Sequence, residues 1–540
     1  MATDWNFGDM LDALGERLGA EHQALIQGDR IITWPELTRR SNNLARSFLE
    51  FGAEPGDKVG FYLRNRPEYV ETLAACWKAR LTHVNVNYRY VDDELIYIFD
   101  NSDSTIVVYG SEFRETVERI RARLPKVKVW IEVSNGADLP EGIHHYETLA
   151  TTGDGAPLEI ERSSEDMLFL YTGGTTGMPK GVMWTHQIWR DANKTTLEVV
   201  FGFIPESMED YVSAAIEKGT STRQCPACPL MHGTGLFTAM GAILNGGTVA
   251  LLPTPEKFNA AELWDQVEKH SLTNLAIVGD AFGKPMLNEL EAAPGKWDLS
   301  SVSTIVSSGV MWSTEVKRGL LEHLPQAALM DSFGASESVG FGMSVMTAEG
   351  EVGTAKFAIG PNCKVFSEDG REIAPGSDEP GFIARGGAVP LGYYKDAEKT
   401  EKTFKTINGV RYAIPGDWCT VEADGTLTLM GRGSICINSG GEKIYPEEIE
   451  EALKTHPEVR DALVVGVPDD QWGQAVTAVV STEPGMFPPE DMLIDHVKGT
   501  LARYKAPKRV LFREDLARAP NGKADYAGTK AFAINELGLD

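Results

Sequence analysis

The stretch from Leu168 to Gly181 has the residue types of a phosphate-binding loop. An apolar run long enough for a buried strand, 167–171, leads directly into a loop rich in glycine and threonine. Glycines let a backbone approach a ligand closely, and exposed N–H groups with one ammonium suit a polyphosphate. The residues predicted to bind phosphate are Thr172, Gly173, Gly174, Thr175, Thr176, Gly177 and Lys180. No GxxxxGK[ST] pattern fits, so this is not a Walker A loop, and a solvated surface loop is the alternative.

Composition narrows the function classes. The chain has 540 residues and a formal net charge of −27 at pH 7, which disfavours nucleic acid and anionic membranes as partners. Its length favours three or four domains or subdomains. No apolar run reaches the roughly 18 residues of a membrane helix, so we expect no integral membrane segment. The first ten residues lack a basic and an apolar signal region, so we expect no secretory signal.

The six cysteines are scattered, which is typical of a reduced, cytoplasmic protein. Cys225 and Cys228 have metal-ligand spacing. A zinc site would need two more ligands, and no second pair lies at a matching interval. We therefore expect no zinc here.

The elements around the loop alternate between strand and helix patterns, which predicts parallel βαβ units and an α/β fold. An amphipathic helix opens the chain at Phe7, Leu11, Leu14 and Leu18, and a hairpin over 27–32 leads into a helix capped by Thr33. Further strands are predicted at 59–63, 83–87, 106–109, 249–252, 275–278 and 303–307, with a helix at 67–80. Short strands with Gly/Pro turns predict a small β-rich subdomain at about 356–430. A compact α+β pattern follows, with helices at 446–455 and 489–503 and strands at 462–467, 476–480 and 509–512.

The loop sequence TGGTTGMPKG resembles the signature [ST]-[SG]-G-[ST]-T-G-x-P-K-G of the adenylate-forming superfamily. That superfamily contains acyl-CoA synthetases, adenylation domains of peptide synthetases, and luciferases. The resemblance covers nearly the whole chain and is greatest to bacterial steroid side-chain and long-chain fatty acid–CoA ligases. It implies an N-terminal AMP-binding domain over 1–431, a hinge at 432–434 and a small mobile α+β lid domain over 435–540.

A second stretch, 332–337, resembles the family's YGxTE motif. By that resemblance Phe333 stacks on adenine, Ser336 offers its hydroxyl to the α-phosphate, and Glu337 binds Mg²⁺ together with Thr176. A solvated glutamate in a turn is the alternative. The other residues implied in nucleotide binding are Ser308, Gly309, Val310, Asp331, Ser332, Gly334, Ala335, Asp417 and Arg432.

The resemblance also implies the catalytic and CoA-binding residues. Lys523, in Pro-Asn-Gly-Lys, matches the catalytic lysine, and Lys180 and Glu337 act beside it. His232 lies between the acyl pocket and the CoA tunnel, although a core histidine is the alternative. The tunnel is further lined by Ser439, Gly440 and Gly441. The hinge residues are Gly433 and Ser434, where the family usually has Asp or Lys in place of the serine.

The acyl pocket is the least specific prediction, because pocket shape is poorly encoded in sequence. The candidate wall residues are Trp184, His232, Ile277, Val278, Gly279, Phe282, Ser307 and Gly334. The two glycines would leave room for a bulky acid, so we expect a medium-chain, long-chain or steroid-type acid. These residues could equally follow ancestry rather than substrate.

These expectations combine into an ATP-dependent acid–CoA ligase. The acid and MgATP give an acyl-adenylate and pyrophosphate, and CoA then gives acyl-CoA and AMP. ATP, Mg²⁺, CoA and a small carboxylic acid are the expected cofactors and partners, and a homodimer stays open. The alternatives are a loader of a carrier protein, a luciferase-like oxygenase and a non-enzymatic nucleotide-binding protein. The last should have lost Glu337 or Lys523, and the sequence retains both.

Overall fold

The computed structural model describes residues 4–134, 138–172, 178–309, 312, 314–350, 356–432, 437–444, 446–516 and 525–539. In these ranges the strands are β1 (Gln23–Gln27), β2 (Arg30–Thr33), β3 (Lys58–Tyr62), β4 (Thr82–Asn85), β5 (Ser104–Gly110), β6 (Val129–Val133), β7 (Ile143–His145), β8 (Met167–Thr172), β9 (Lys180–Thr185), β10 (Arg223–Pro226), β11 (Thr248–Leu251), β12 (Asn274–Ile277), β13 (Thr304–Ser308), β14 (Ala328–Ala335), β15 (Ser338–Met346), β16 (Lys356–Ile359), β17 (Cys363–Phe366), β18 (Ser377–Gly386), β19 (Gly392–Tyr393), β20 (Phe404–Ile407), β21 (Val410–Ala413), β22 (Asp417–Val421), β23 (Leu427–Arg432), β24 (Ile437–Ser439), β25 (Glu442–Ile444), β26 (Val459–Asp469), β27 (Gly473–Thr482) and β28 (Arg509–Phe512).

The α-helices in the same ranges are α1 (Phe7–Gly15), α2 (Trp34–Glu50), α3 (Pro67–Lys78), α4 (Asp92–Asn101), α5 (Arg114–Ile120), α6 (Tyr146–Thr151), α7 (His186–Ala192), α8 (Lys194–Phe201), α9 (Met208–Glu217), α10 (Gly233–Leu244), α11 (Ala260–His270), α12 (Asp280–Ala292), α13 (Thr314–His323), α14 (Ala397–Thr403), α15 (Pro446–Lys454), α16 (Glu490–Thr500) and α17 (Tyr526–Leu537). None of the helices described is long and apolar enough to cross a membrane.

The predicted opening elements are present, although the first helix ends at Gly15, before the predicted Leu18. The apolar face of α1 is buried, and β1 and β2 form the expected antiparallel hairpin. The Thr33 side chain accepts from the backbone N–H of Glu36 and so caps α2. The helix predicted over 67–80 ends two residues earlier, because Arg80 takes a left-handed φ of 61° that breaks the helical repeat.

The first sheet contains Thr172 and Lys180, which flank the predicted phosphate loop. Within the described residues its strands lie in the order β19-β9-β8-β4-β3-β5-β6-β7, and the β3–β7 strands pair in parallel. The α/β expectation is therefore confirmed. The antiparallel β8–β9 pair was not foreseen, since the glycine-rich connection masks the hairpin signal.

The second sheet runs through the rest of the large domain. Strands β10, β12, β13 and β14 are parallel neighbours, and from β15 onward the sheet continues antiparallel through β16, β23, β22 and β18. Apolar side chains of α11, α12 and α13 pack on one face of the parallel strands, for example Trp264, Met286 and Leu320. Helix α10 packs on the other face. Side chains at alternate positions of these strands can therefore line a cavity between the sheet and α10.

The last hundred residues form a smaller unit. Strands β26, β27 and β28 make a three-stranded sheet among the residues described, and α15 and α16 pack on it around Ile449, Leu453 and Val497. The short β24–β25 hairpin forms a separate two-stranded sheet, and its Ile437 and Ile444 pack in the same core. The predicted helix at 489–503 is shorter, since α16 ends at Thr500 and Leu501 is extended.

Candidate active site

A cavity of about 640 Å³ lies between the parallel strands of the second sheet and α10. The strand residues that line it alternate along the chain, as they must when one face of a sheet forms a floor. Ser308 and Ser332 are register partners at the carboxyl end of this floor, where ligands bind in open parallel sheets. The predicted residues that line the cavity are Thr172, His232, Val278, Phe282, Ser308, Gly309, Ser332, Gly334, Ala335, Ser336, Gly440 and Gly441.

The carboxylate of Glu337 sits in the tight turn that joins β14 to β15. It is only 7% exposed, and the Tyr393 hydroxyl donates to its Oε1 at 2.5 Å. The carbonyl of the neighbouring Ser336 accepts from the Trp184 indole N–H at 3.1 Å. Trp184 is fully buried, so it anchors this turn to the first sheet instead of facing the cavity.

The phosphate-loop residues follow β8 and precede β9. Thr172 and Lys180 are cross-strand partners, so the loop closes a hairpin between them. Lys180 forms an ion pair with Asp396. An ammonium in this position can exchange a carboxylate for a phosphate, because both are anionic oxygen acceptors.

Two predicted nucleotide residues meet across a strand pair. Asp417 in β22 lies directly opposite Arg432 in β23. Asp331 forms an ion pair with the buried Lys317 of α13, at 2.6 Å from its Nζ. Burial raises the pKa of Asp331 and Lys317 counteracts part of that rise.

His232 precedes α10 and contacts the small domain. Its Nε2 lies 3.2 Å from Oε2 of Glu442, and its side chain is 38% exposed. Arg89 pairs with the other oxygen of Glu442 at 2.7 Å. Burial alone would raise the pKa of Glu442, but His232, Arg89 and Lys505 outweigh it and hold that pKa below its ordinary value.

The β24–β25 hairpin brings the small domain to the cavity through a turn of two glycines. Gly440 and Gly441 have φ of 59° and 84°, as a type I′ turn requires. The position of a Cβ on Gly441 would be 3.6 Å from Val278, in ordinary contact. The predicted tunnel residues and the predicted pocket residue Val278 are thus adjacent.

Lys505 was missed by sequence reasoning. Its ammonium is 2.7 Å from Glu94 of α4 and 2.7 Å from Glu448 of α15, with 4% of its side chain exposed. Glu94 also accepts from the backbone N–H of Ala502, and Asn87 donates to the Tyr504 hydroxyl. We call Glu94, Glu448 and Lys505 the interdomain ion cluster. No motif marks it, because its members come from three distant segments.

Some predicted residues lie behind the cavity wall. The ring of Phe333 packs against Phe341 and Phe357, and Ile277 is buried in the core under α11 and α12. Ser307 is buried and its Oγ accepts from the N–H of Gly279. The predicted residues Gly173, Gly174, Thr175, Thr176, Gly177, Val310, Gly433, Ser434 and Lys523 lie outside the described residues, as does the side chain of Arg432.

Comparison with known proteins identifies the family. The family model of AMP-binding enzymes matches residues 14–394, and that of the AMP-binding enzyme C-terminal domain matches 448–523. A medium/long-chain-fatty-acid–CoA/3-oxocholest-4-en-26-oate–CoA ligase of Mycobacterium marinum is 41% identical over 544 residues, which covers 98% of this chain and 97% of that protein. A 3-oxocholest-4-en-26-oate–CoA ligase of Rhodococcus rhodochrous is 40% identical over 521 residues, covering 94% and 93%.

Among solved structures, the amide bond synthetase McbA of Marinactinospora thermotolerans has a TM-score of 0.80 at 22% identity, covering 98% of this chain and 99% of that one. The o-succinylbenzoate CoA synthetase MenE of Bacillus subtilis has a TM-score of 0.77 at 24% identity, covering 97% and 98%. These two show the fold. With both family models matched and relatives of 40% identity or more along nearly the full length, the chain belongs to the AMP-binding enzyme family, the adenylate-forming superfamily that its glycine-rich loop resembles.

Proposed function

We propose that this protein is an AMP-forming acid–CoA ligase. The observation that carries the proposal is one cavity that brings together three parts of the chain. These are residues 332–336 at the end of β14, the His232 end of α10, and the Gly440–Gly441 turn of the small domain. The acyl-adenylate made in the first half-reaction must meet the thiol in the second, and this cavity offers a place for both.

In the first half-reaction a carboxylate oxygen attacks the α-phosphorus of ATP, and pyrophosphate leaves. Two anions must approach, so cations and oriented donors are needed. We assign the phosphates to the 172–180 loop with Lys180, and the ribose to the facing pair Asp417 and Arg432. Lys523 would join them by its family motif.

Magnesium fits the residues present. The Glu337 carboxylate is an anionic oxygen ligand of the kind that Mg²⁺ prefers, held in a turn at the cavity by Tyr393. With Thr176 it would hold the ion that neutralises phosphate charge. Tyr393 keeps the carboxylate in place before the nucleotide arrives.

In the second half-reaction the CoA thiol attacks the acyl carbonyl, the bond to the phosphate oxygen breaks, and AMP leaves. The structure has the Gly440–Gly441 turn beside Val278 and Glu442 beside His232. A thiol arm that follows the glycine turn would reach the acyl-adenylate next to His232. We therefore assign this arrangement of the two domains to thioester formation.

The acid is proposed to be medium-chain, long-chain or steroid-type. Two relatives of 40% identity or more carry such acids in their names, and the cavity walls include Leu197, Val200 and Phe237. We also place the protein in the cytoplasm, since ATP and CoA are found there and the five cysteines described are free thiols.

The test is a panel of acids supplied with MgATP, with and without CoA. Pyrophosphate should be released with a hydrophobic acid, and a thioester should form only when CoA is added. A carrier-protein loader would release pyrophosphate but give no acyl-CoA. Thioester formation with ADP as co-product would contradict the proposal.

A further inference from the structure

The cavity has a second polar end, far from the nucleotide residues. On the floor, Gln224 and Asn274 are register partners at the amino ends of β10 and β12. Asn274 precedes Val278 by four residues, so this end lies about 13 Å below the row that holds Ser308 and Ser332. No function has so far been assigned to it.

Between the two ends the floor of the cavity is apolar, and the space above it is roomy. Val306 and Met330 form the middle of the floor, and Phe237 of α10 also lines the cavity. A Cβ added to Gly241 of α10 would meet no atom of the described residues within 4 Å. Helix α10 spans about 18 Å from its first residue, next to His232, to its last, so the cavity can hold an extended acid along its length.

Gln224 faces this cavity by strand alternation. Its neighbour Cys225 packs among the residues under α11, so Gln224 points to the opposite face, toward α10. Gln224 is only 6% exposed, and its Nε2 has no hydrogen-bond partner among the residues described. A buried amide donor without an acceptor costs free energy. A ligand that places an acceptor oxygen here would remove that cost and should bind more tightly.

We propose that Gln224 binds a neutral oxygen at the distal end of the acid, and that Asn274 borders the same site. The inference rests on the proposed function, and it names the substrate class: hydrophobic acids with a carbonyl or hydroxyl oxygen far from the carboxylate. Amides carry no charge, so they suit a neutral acceptor better than a second carboxylate.

The test compares acids that differ only in the distal oxygen. The pairs are 3-oxocholest-4-en-26-oate with cholest-4-en-26-oate, and 16-hydroxyhexadecanoate with hexadecanoate. The readout is kcat/KM for pyrophosphate release. Wild type should prefer the oxygenated acid of at least one pair by about tenfold, the size expected of one buried hydrogen bond.

Gln224→Leu should bring that ratio to about one, and Gln224→Met is the second variant if the branched side chain prevents folding. Gln266→Leu is the matched control, because Gln266 of α11 is also buried with an unpaired amide oxygen in the described structure but does not line the cavity. It should keep the wild-type ratio.

A wild-type ratio of one or less in both pairs would overturn the inference, whether or not the variants fold. An unchanged ratio in Gln224→Leu or Gln224→Met would overturn it too. Absence of pyrophosphate release with every acid would instead mean that the proposed function is wrong.

Discussion

Glu337 combines two features that are seldom found together, a position in a tight turn and nearly complete burial. The carboxylate is held by the Tyr393 hydroxyl, and the turn is fixed by the Trp184 indole. The motif predicted that Glu337 is a metal ligand. It could not predict Tyr393, which lies 56 residues away and meets Glu337 only because β19 pairs with β9.

At this scale we predict that Glu337→Gln folds but needs on the order of tenfold more Mg²⁺ for half-maximal pyrophosphate release, since one anionic ligand becomes neutral. The control is Glu132→Gln, because Glu132 is also a buried carboxylate that accepts from a tyrosine, Tyr109, and lies outside the cavity. An unchanged magnesium dependence in Glu337→Gln would remove it as the ligand.

At the scale of elements, α10 and the β24–β25 hairpin shape the site. The sequence predicted the glycine turn of the hairpin by resemblance. It did not predict α10 as a cavity wall, because its face toward the cavity mixes Thr234, Thr238 and Gly241 and lacks an apolar periodicity. The reverse holds for Gly279, which was predicted as a pocket wall but is not among the residues that line the described cavity. It has a φ of 55°, and its N–H donates to the hydroxyl of Ser307.

Gly241→Leu should therefore narrow the acid channel. The added side chain enters open cavity space, so we expect kcat/KM to fall at least about tenfold for bulky acids and much less for short ones. The control is Gly499→Leu, at a helical glycine of α16 with equally open surroundings outside the cavity. Equal losses for long and short acids, measured by pyrophosphate release, would place Gly241 outside the channel.

Gly440→Ala tests the hairpin. Its Cβ would lie 2.7 Å from the Trp472 ring at a left-handed φ, so the turn must shift and the thioester step should slow. The control is Gly425→Ala, because Gly425 has a φ of 81° but an added Cβ would meet no atom within 4 Å in the part of the chain described. Thioester formation from supplied acyl-adenylate is the readout, and equal rates in both variants would exclude a role for the turn in thiol access.

At the scale of the whole molecule, the interdomain ion cluster holds the two domains in the arrangement described. Burial would lower the pKa of Lys505, but Glu448, the tyrosines Tyr504 and Tyr90, and Glu94 raise it well above its ordinary value, so the ammonium stays charged. The domain order was predictable from the motifs along the chain. The docking contacts were not, because they join residues more than 400 positions apart.

Glu94→Gln should slow thioester formation by about tenfold relative to adenylation, because a charged hydrogen bond across the domains is weakened while the side-chain shape is kept. Asp93→Asn is the control on the same helix turn, since Asp93 pairs with Arg123 at the surface. The two half-reactions are measured separately. A proportional loss in both would show that the cluster stabilises the fold without favouring one arrangement.

The central claim is transfer of the acid through an acyl-adenylate, and one labelling measurement tests it most directly. The acid is prepared with ¹⁸O in its carboxylate and converted with MgATP and CoA in a single turnover. If the carboxylate attacks the α-phosphorus and the thiol then breaks the carbonyl–oxygen bond, mass spectrometry should find one ¹⁸O in AMP and none in pyrophosphate. Label in inorganic phosphate with ADP as the nucleotide product, or unlabelled AMP, would contradict the account.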